Sequence, residues 1–460
     1  MGKAIQDNNF LYNILSPLVQ FGTRCHYHHF VVRGMENLPK DGAYIFAPCH
    51  QQALMEPLAV LNIAPKPPVF LARADIFAKP TVRAILTFLK IMPVYRIRDG
   101  KENLSKNNDI FDRSRDVLLD GYPLCLMAEG RHNNRHHLLP LVKGMFRIAG
   151  ETQRKLGDHP LYILPTGIDF DEYERPYSNL VVNIGKPIPV KPFMETFESN
   201  EPVALNQMRE ALTSALRPLM HDIRSDAHYE EILTLCNIAN PTFRKAGHLR
   251  NNAWNRFCMR QQIAQKVDAR ETAADAGFEP LMEKVRSFKA LCRSLHIGEK
   301  CIAEHGGFVS TLLMFLVFVA FISAVVIVPQ VRWIVLFMLL CFPVPFMPTY
   351  LIPKKIIKDS QFRSSINFGI RFVFSILYGI VISIVVACCG GMWMSRLADI
   401  GAWWGLVAVA LVHIEAVMAG PMVNALKWLG SNCQYWFLRL VSPRKMRVLT
   451  TLQKELAEEV

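Results

Sequence analysis

Several classes are disfavoured by what this chain lacks. Its 11 cysteines are an odd number, scattered from Cys25 to Cys433 without one CxxC pair, and Cys388 and Cys389 lie adjacent in an apolar run. That pattern argues for reduced thiols and against a disulfide framework or a cysteine zinc site. No long Lys/Arg tract with interleaved aromatics occurs, so the net charge of +13 does not point to nucleic acid. There is no internal repeat and no low-complexity stretch. No cleavable leader is expected, because the apolar stretch at 10–21 is short and Pro17 interrupts it. Residues 1–29 read equally as an amphipathic segment in a bilayer interface or as a helix packed on the domain that follows.

Charge is scarce in one place only. The chain is 51% hydrophobic with mean hydropathy +0.17, and the excess lies after about residue 306. At 460 residues two or three domains are expected, and the asymmetry favours a soluble domain joined to membrane helices. Four apolar runs qualify within 307–430. Residues 308–328 carry no charge; 333–350 end among Pro343, Pro345 and Pro348; 366–389 hold Arg371; 403–422 are interrupted by His413 and Glu415. The loop 353–365 carries Lys354, Lys355, Lys358 and Arg363, and the tail 431–460 carries Arg439, Arg444, Lys445 and Arg447. The positive-inside rule then puts the N-terminal domain, that loop and a basic tail in the cytosol, as a multi-pass integral membrane protein. A basic chain with spans suits anionic lipid headgroups, phosphorylated substrates or an acidic carrier.

Ahead of the spans, short apolar runs at 43–47, 68–71, 124–127, 161–165 and 180–184 read as buried strands. Periodic segments at 79–90 and 109–119 read as helices between them, so an α/β domain is expected over about 30–200. Residues 201–306 are charged and helical in pattern, clearest at 203–223 and 283–295, and read as a helical connector.

Four clusters in the α/β part carry chemistry. CHQQALMEP (49–57) follows a strand, with a helix expected just after His50. There His50 is a general-base candidate and Glu56 an acid that can hold its tautomer. LMAEGRHNN (126–134) puts Glu129, Gly130 and Arg131 after a strand; the glycine permits close backbone approach and the arginine can pair with a phosphate. His132, Arg135, His136 and His137 enrich this loop, but no ligand spacing supports a metal, and none is expected. PVYRIRDG (93–100) places Arg96 and Arg98 on one face of an extended segment, suited to an anion or to a solvated surface. ILPTGI (163–168), broken at Pro165, reads as a site wall.

In order and spacing these clusters resemble the four blocks of the glycerolipid acyltransferase family, which includes glycerol-3-phosphate and lysophosphatidate acyltransferases. The resemblance covers roughly residues 30–190. It implies a His-acid catalytic pair, matched by His50 and Glu56. It also implies acceptor-phosphate binding at Arg96, Glu129 and Gly130, and, with less support, at Arg98 and Arg131, with Pro165 lining the site. Lys143 and Gly144 resemble a segment downstream of the third block. The pattern departs in three ways. Five residues, not four, separate His50 from the acid; that acid is Glu rather than Asp, with Met55 in the usual place; and Met127-Ala128 stand where Phe-Pro is usual. The longer spacing and the layout are similar to fungal-type glycerol-3-phosphate/dihydroxyacetone-phosphate acyltransferases.

The resemblance implies acyl transfer from an acyl-CoA or acyl-carrier-protein thioester to a glycerol-phosphate-type hydroxyl in phospholipid synthesis, without a cofactor. The acceptor hydroxyl would be the nucleophile. A lysophosphatidate or other lysolipid acyltransferase is the alternative. From another class, a transporter or membrane scaffold is suggested by His413 and Glu415, since ionisable groups in a span are functional candidates. They stand two apart, so on a helix they do not face each other, and a segment near the headgroups accounts for them as well.

Overall fold

A computed structural model describes residues 4–95, 107–174, 177–329, 362–394 and 403–460. The chain divides into two units, the first built from residues up to 224 except 25–28 and 174–177, the second from those two segments and residues 225–460.

The first unit is an α/β layer structure on one sheet. Its strands are β1 (His29–Arg33), β2 (Ala43–Pro48), β3 (Val69–Arg73), β4 (Ile91–Val94), β5 (Leu124–Leu126), β6 (Leu161–Phe170), β7 (Asn179–Ile184) and β8 (Ile188–Pro189). Their order is β1-β7-β6-β2-β5-β3-β4, with β8 also on β6. Pairing is parallel from β6 through β2, β5 and β3 to β4, and antiparallel where β7 and β8 join β6. The central strands read as continuous apolar runs because helices cover both faces, as parallel sheets require. Phe46, Ala47, Leu161, Ile163, Leu164 and Ile168 are all fully buried.

The five expected strands are present, and so are the helices expected at 79–90 and 109–119, as Pro80–Phe88 and Asn107–Leu119. One strand is longer than expected. β6 runs through Pro165 to Phe170 instead of breaking there. Gly185 N donates to Pro165 O, so the missing proline N–H faces the same side. On that side β8 pairs at Tyr162 and Ile163 and β7 starts at Thr166, so Pro165 falls in the gap where no donor is called for.

The helix Phe10–His26 carries Pro17 inside it. Its buried side shows Tyr12, Ser16 and Thr23, and Tyr12 meets Phe88 edge-on at 6.3 Å. Phe10, Leu11, Ile14, Leu18 and Phe21 form an exposed apolar stripe at helical spacing.

The second unit is helical. Tyr229–Ile238, Asn240–Ala246, Ala253–Thr272, Phe278–Ser294 and Glu299–Ala303 pack around Ile232, Leu235, Ile263, Leu281, Val285 and Phe288. Much of the segment expected as a connector therefore has a core of its own. Residues expected as a basic tail form the helix Pro443–Glu459, which buries Met446, Leu449, Leu456 and Ala457 against these helices and keeps its charges outside.

Phe308–Ile327 is 20 residues long with mean hydropathy 2.7 and is almost wholly unburied, long and apolar enough to cross a membrane. The expected run 333–350 lies outside the described residues. The runs at 366–389 and 403–422 fall inside longer helices, Arg363–Met394 and Trp403–Val441. The second of these continues past the hydropathy break at Lys427. Leu429, Asn432 and Tyr435 recur at helical spacing and are buried, so the break ends an apolar run but not a helix. At 39 residues this helix is about 58 Å long, nearly twice a bilayer core. Asn432 and Trp436 bind the backbone of Gly306, and His305 stacks on Tyr435 at 3.8 Å, which ties the start of the apolar helix to the long one.

Candidate active site

The parallel strands β2, β5, β3 and β4 all end on one edge of the sheet, the edge where open α/β sheets bind ligands. The first cluster leaves the sheet there. Cys49 N makes the last ladder bond, 3.2 Å to Thr166 O. The next three N–H groups turn to side chains. His50 N donates to Glu129 Oε1 at 2.6 Å, Gln51 N to Glu56 Oε1 at 2.7 Å, and Gln52 N to the same Glu56 oxygen. Gln51, Gln52, Glu56 and Glu129 are all at most 1% exposed.

The helix begins at Met55, later than the sequence suggested, so Glu56 lies in its first turn. A carboxylate there is favoured by the helix N-terminus. Its second oxygen, Oε2, stands 3.5 Å from His50 Nδ1. That is a few tenths of an ångström beyond a hydrogen bond, and neither atom has another hydrogen-bond partner among the described residues. Catalytic pairs are commonly loose without substrate and tighten when it binds. The His50 side chain is 13% exposed, so the ring reaches solvent while the acid does not. The His132 ring packs edge-on against it at 5.2 Å.

Cys49 is no nucleophile. It is fully buried, its sulfur bonds both backbone groups of Ile168, and burial pushes its thiol well above the usual range.

In the third block both oxygens of Glu129 are turned to the backbone. Its second oxygen accepts from Leu139 N at 2.9 Å, so both oxygens serve backbone donors. It holds the backbone at His50 and at Leu139. Burial pushes its carboxyl up to about 8, against the pull of those two N–H groups. Gly130 has φ +62°, and a Cβ there would lie 3.0 Å from the Val142 side chain, so the turn after β5 calls for glycine. Arg131 is exposed beside it, and Lys143 and Gly144 are exposed at the N-terminus of the helix Lys143–Leu156. Pro165 is buried in register with Ala47 on β2. Arg96 and Arg98 lie outside the described residues; β4, two residues before Arg96, ends on the same sheet edge as β2.

Sequence reasoning missed the groups behind the turn. Gln52 Nε2 donates to Tyr173 O at 2.5 Å, and the Tyr173 hydroxyl donates to Gln51 Oε1 at 3.0 Å. The same hydroxyl is 3.1 Å from His136 Nδ1, which is 3.1 Å from Asp169 Oδ1. Two adjacent glutamines after a strand were the available signal, since buried amides need partners.

Residues 29–169, about a third of the chain, match the model of a family described as Acyltransferase. Among solved structures, the 1-acyl-sn-glycerophosphate (LPA) acyltransferase PlsC from Thermotoga maritima is similar at 19% identity, over 44% of this chain and 79% of that one, with a TM-score of 0.30. Agreement at that level transfers neither fold nor activity. No curated protein matches.

Glu129→Gln turns an amide NH2 toward one of the two backbone donors, a cost of about 1–3 kcal/mol. The cost depends on pH. A carboxyl raised from 4.5 to about 8 by folding stabilises the fold fully below pH 4.5, and that contribution is lost as pH rises toward 8. The variant does not titrate there. Thermal unfolding of both proteins from pH 5 to 8 should show the variant melting lower at pH 5 and the gap closing with pH, by at most about 1.4 kcal/mol per unit. A constant gap would mean that Glu129 is ionised throughout.

Proposed function

We propose that this chain, whose residues 29–169 match a family described as Acyltransferase, is a glycerolipid acyltransferase that moves a fatty acyl group from a thioester of coenzyme A or acyl carrier protein to a hydroxyl of a glycerol-phosphate acceptor. The observation that carries the reading is the partly exposed His50 ring with buried Glu56 at 3.5 Å from its Nδ1. Glu56 holds the tautomer with Nδ1 protonated, which leaves Nε2 to take the proton of the acceptor hydroxyl. The hydroxyl oxygen attacks the thioester carbonyl. The tetrahedral oxyanion collapses with loss of the thiolate, and the imidazolium returns its proton to that sulfur. The new ester and the free thiol balance the reaction, with no enzyme nucleophile and no cofactor.

Arg96 binds the acceptor phosphate in this reading, helped by Arg98 and Arg131, with Gly130 allowing the acceptor close to the backbone and Pro165 behind the site. A lysolipid acceptor is the second reading. The exposed stripe Phe10, Leu11, Ile14, Leu18 and Phe21 favours it, because a helix lying in the interface would bring the domain to acceptors that stay in the bilayer. Membranes containing the chain, given labelled acyl thioester and a panel of glycerol-3-phosphate, dihydroxyacetone phosphate and lysolipids, distinguish the two by product mass. No acylated product with any acceptor would overturn both.

Glu56→Gln keeps an oxygen for the Gln51 and Gln52 donors but removes the charge beside His50. Turnover should fall by about 10²-fold or more with the protein still in the membrane, and Glu56→Asp should recover part of it. Wild-type turnover in Glu56→Gln would remove this acid from the mechanism.

A charge-assisted bond from Arg96 to phosphate is worth roughly 1.5–3 kcal/mol. Arg96→Ala should raise the acceptor KM by about ten- to a hundredfold and hardly change that of the donor, and Arg96→Lys should restore only part. Saturation curves in each substrate read this; a defect confined to the donor curve would assign Arg96 to the donor's phosphates.

The four apolar runs, with the loop charges about 353–365 and beyond Lys427, support a multi-pass protein with its acyltransferase domain, that loop and its C-terminus in the cytosol. Reporters fused after Val460 and within the loop should both read cytosolic. A reporter on the opposite side at Val460 would leave an odd number of spans.

A further inference from the structure

Behind the active-site turn, three metal-ligating side chains meet in the core of the first unit. His136 comes from the loop after β5, Asp169 from near the end of β6, and His221 from the segment after the turn Arg217–Leu219. They are 3%, 1% and 0% exposed, and one ligand atom from each lies within 4.8 Å of the others. Bonds of neighbouring groups tie the loop carrying His136 to the segment carrying His221. Ile223 N donates to His136 O at 2.7 Å, Leu138 N donates to Asp222 Oδ1 at 2.8 Å, and His137 Nδ1 bonds Ile223 O at 2.8 Å. The His136 and His221 rings lie with centroids 4.5 Å apart and planes tilted by 41°.

The chemistry of the spot suits a cation. His136 Nδ1 stands 3.1 Å from two oxygens, Asp169 Oδ1 and the Tyr173 hydroxyl. One ring proton can be shared between them only weakly, whereas a cation would draw all three donors inward. We infer that His136, Asp169 and His221 hold a structural divalent transition-metal ion. Two imidazoles and one carboxylate are a borderline donor set that selects zinc or a neighbouring late first-row ion over magnesium or calcium. Metal–ligand bonds of about 2.0–2.2 Å at the tetrahedral angle put ligand atoms about 3.4 Å apart, so ligation needs the side chains to draw in by about an ångström. With all three residues buried, the ion is a fastener. It joins the loop 131–141 to β6 and the 220–224 segment, and through Tyr173 it backs Gln51 beside His50.

The test reads metal, not acyl transfer, so it stands apart from the proposed reaction. The full chain is purified in detergent with a tag free of histidine, stripped with a chelator, reloaded with zinc chloride alone, and its bound metal measured by mass spectrometry. About one zinc per chain is expected in the wild type, and a small residue of that in Asp169→Asn and in His221→Ala. Since either variant could fail to fold, the wild type supplies a second reading. Its melting temperature should fall on stripping and return with zinc but not magnesium, and cobalt(II) in place of zinc should give the visible absorption of a tetrahedral site. Equal, trace metal in all three chains with no thermal response to zinc would overturn the site, leaving a hydrogen-bonded His136–Asp169 pair beside His221.

Discussion

Three successive N–H groups, of His50, Gln51 and Gln52, leave the sheet ladder at the end of β2 in a place largely closed to water, and each needs an acceptor. Glu129 supplies one and Glu56 the other two. Much of the site follows from that requirement. Glu129 must be deep enough to reach β2 from the end of β5, so the chain after it turns sharply at Gly130 with positive φ. Glu56 must reach back from the first turn of the next helix, and in doing so its second oxygen arrives at the His50 ring. The side chain that orders the turn is also the one beside the His50 ring.

This arrangement accounts for the departure in spacing. Met55, in the position where the family usually has its acid, is the first residue of the helix and is completely buried in the core. The acid one residue later has the extra methylene of Glu with which to return to residues 50–52. A longer spacing and a longer side chain therefore compensate each other. Behind the turn a second layer, from Gln51 and Gln52 through Tyr173 to His136 and Asp169, fixes the two amides that a solvent-exposed loop would leave mobile.

In the helical unit hydropathy and secondary structure part company. Charge returns at Lys427, yet the helix runs on to Val441, because Leu429, Asn432 and Tyr435 bury one face of it. Asn432 and Trp436 then bond the backbone at Gly306, where the uncharged helix is about to begin. Aromatic rings of this kind, His305, Tyr435, Trp436 and Phe308, suit the level where a chain passes from water into lipid.

The apolar runs by themselves determined the strands β2, β3, β5, β6 and β7, since burial on both faces of a sheet demands unbroken hydrophobic sequence, and the uncharged helix after Gly307, which is long and apolar enough to cross a membrane. Motif order determined that His50, Glu56, Glu129, Gly130 and Pro165 would share a neighbourhood. β1, β4 and β8 were not legible, being short and edge-placed or only partly buried. Nor was the bond from His50 N to Glu129, because a hydrogen bond across 79 residues to a backbone N–H leaves no mark in either local pattern. The same holds for His136, Asp169 and His221. Each alone is an ordinary polar residue in its own segment. Only the crossing of β5, β6 and the segment after Leu219 brings them within one ligand sphere, because spatial neighbours contributed by separate elements have no fixed spacing in sequence.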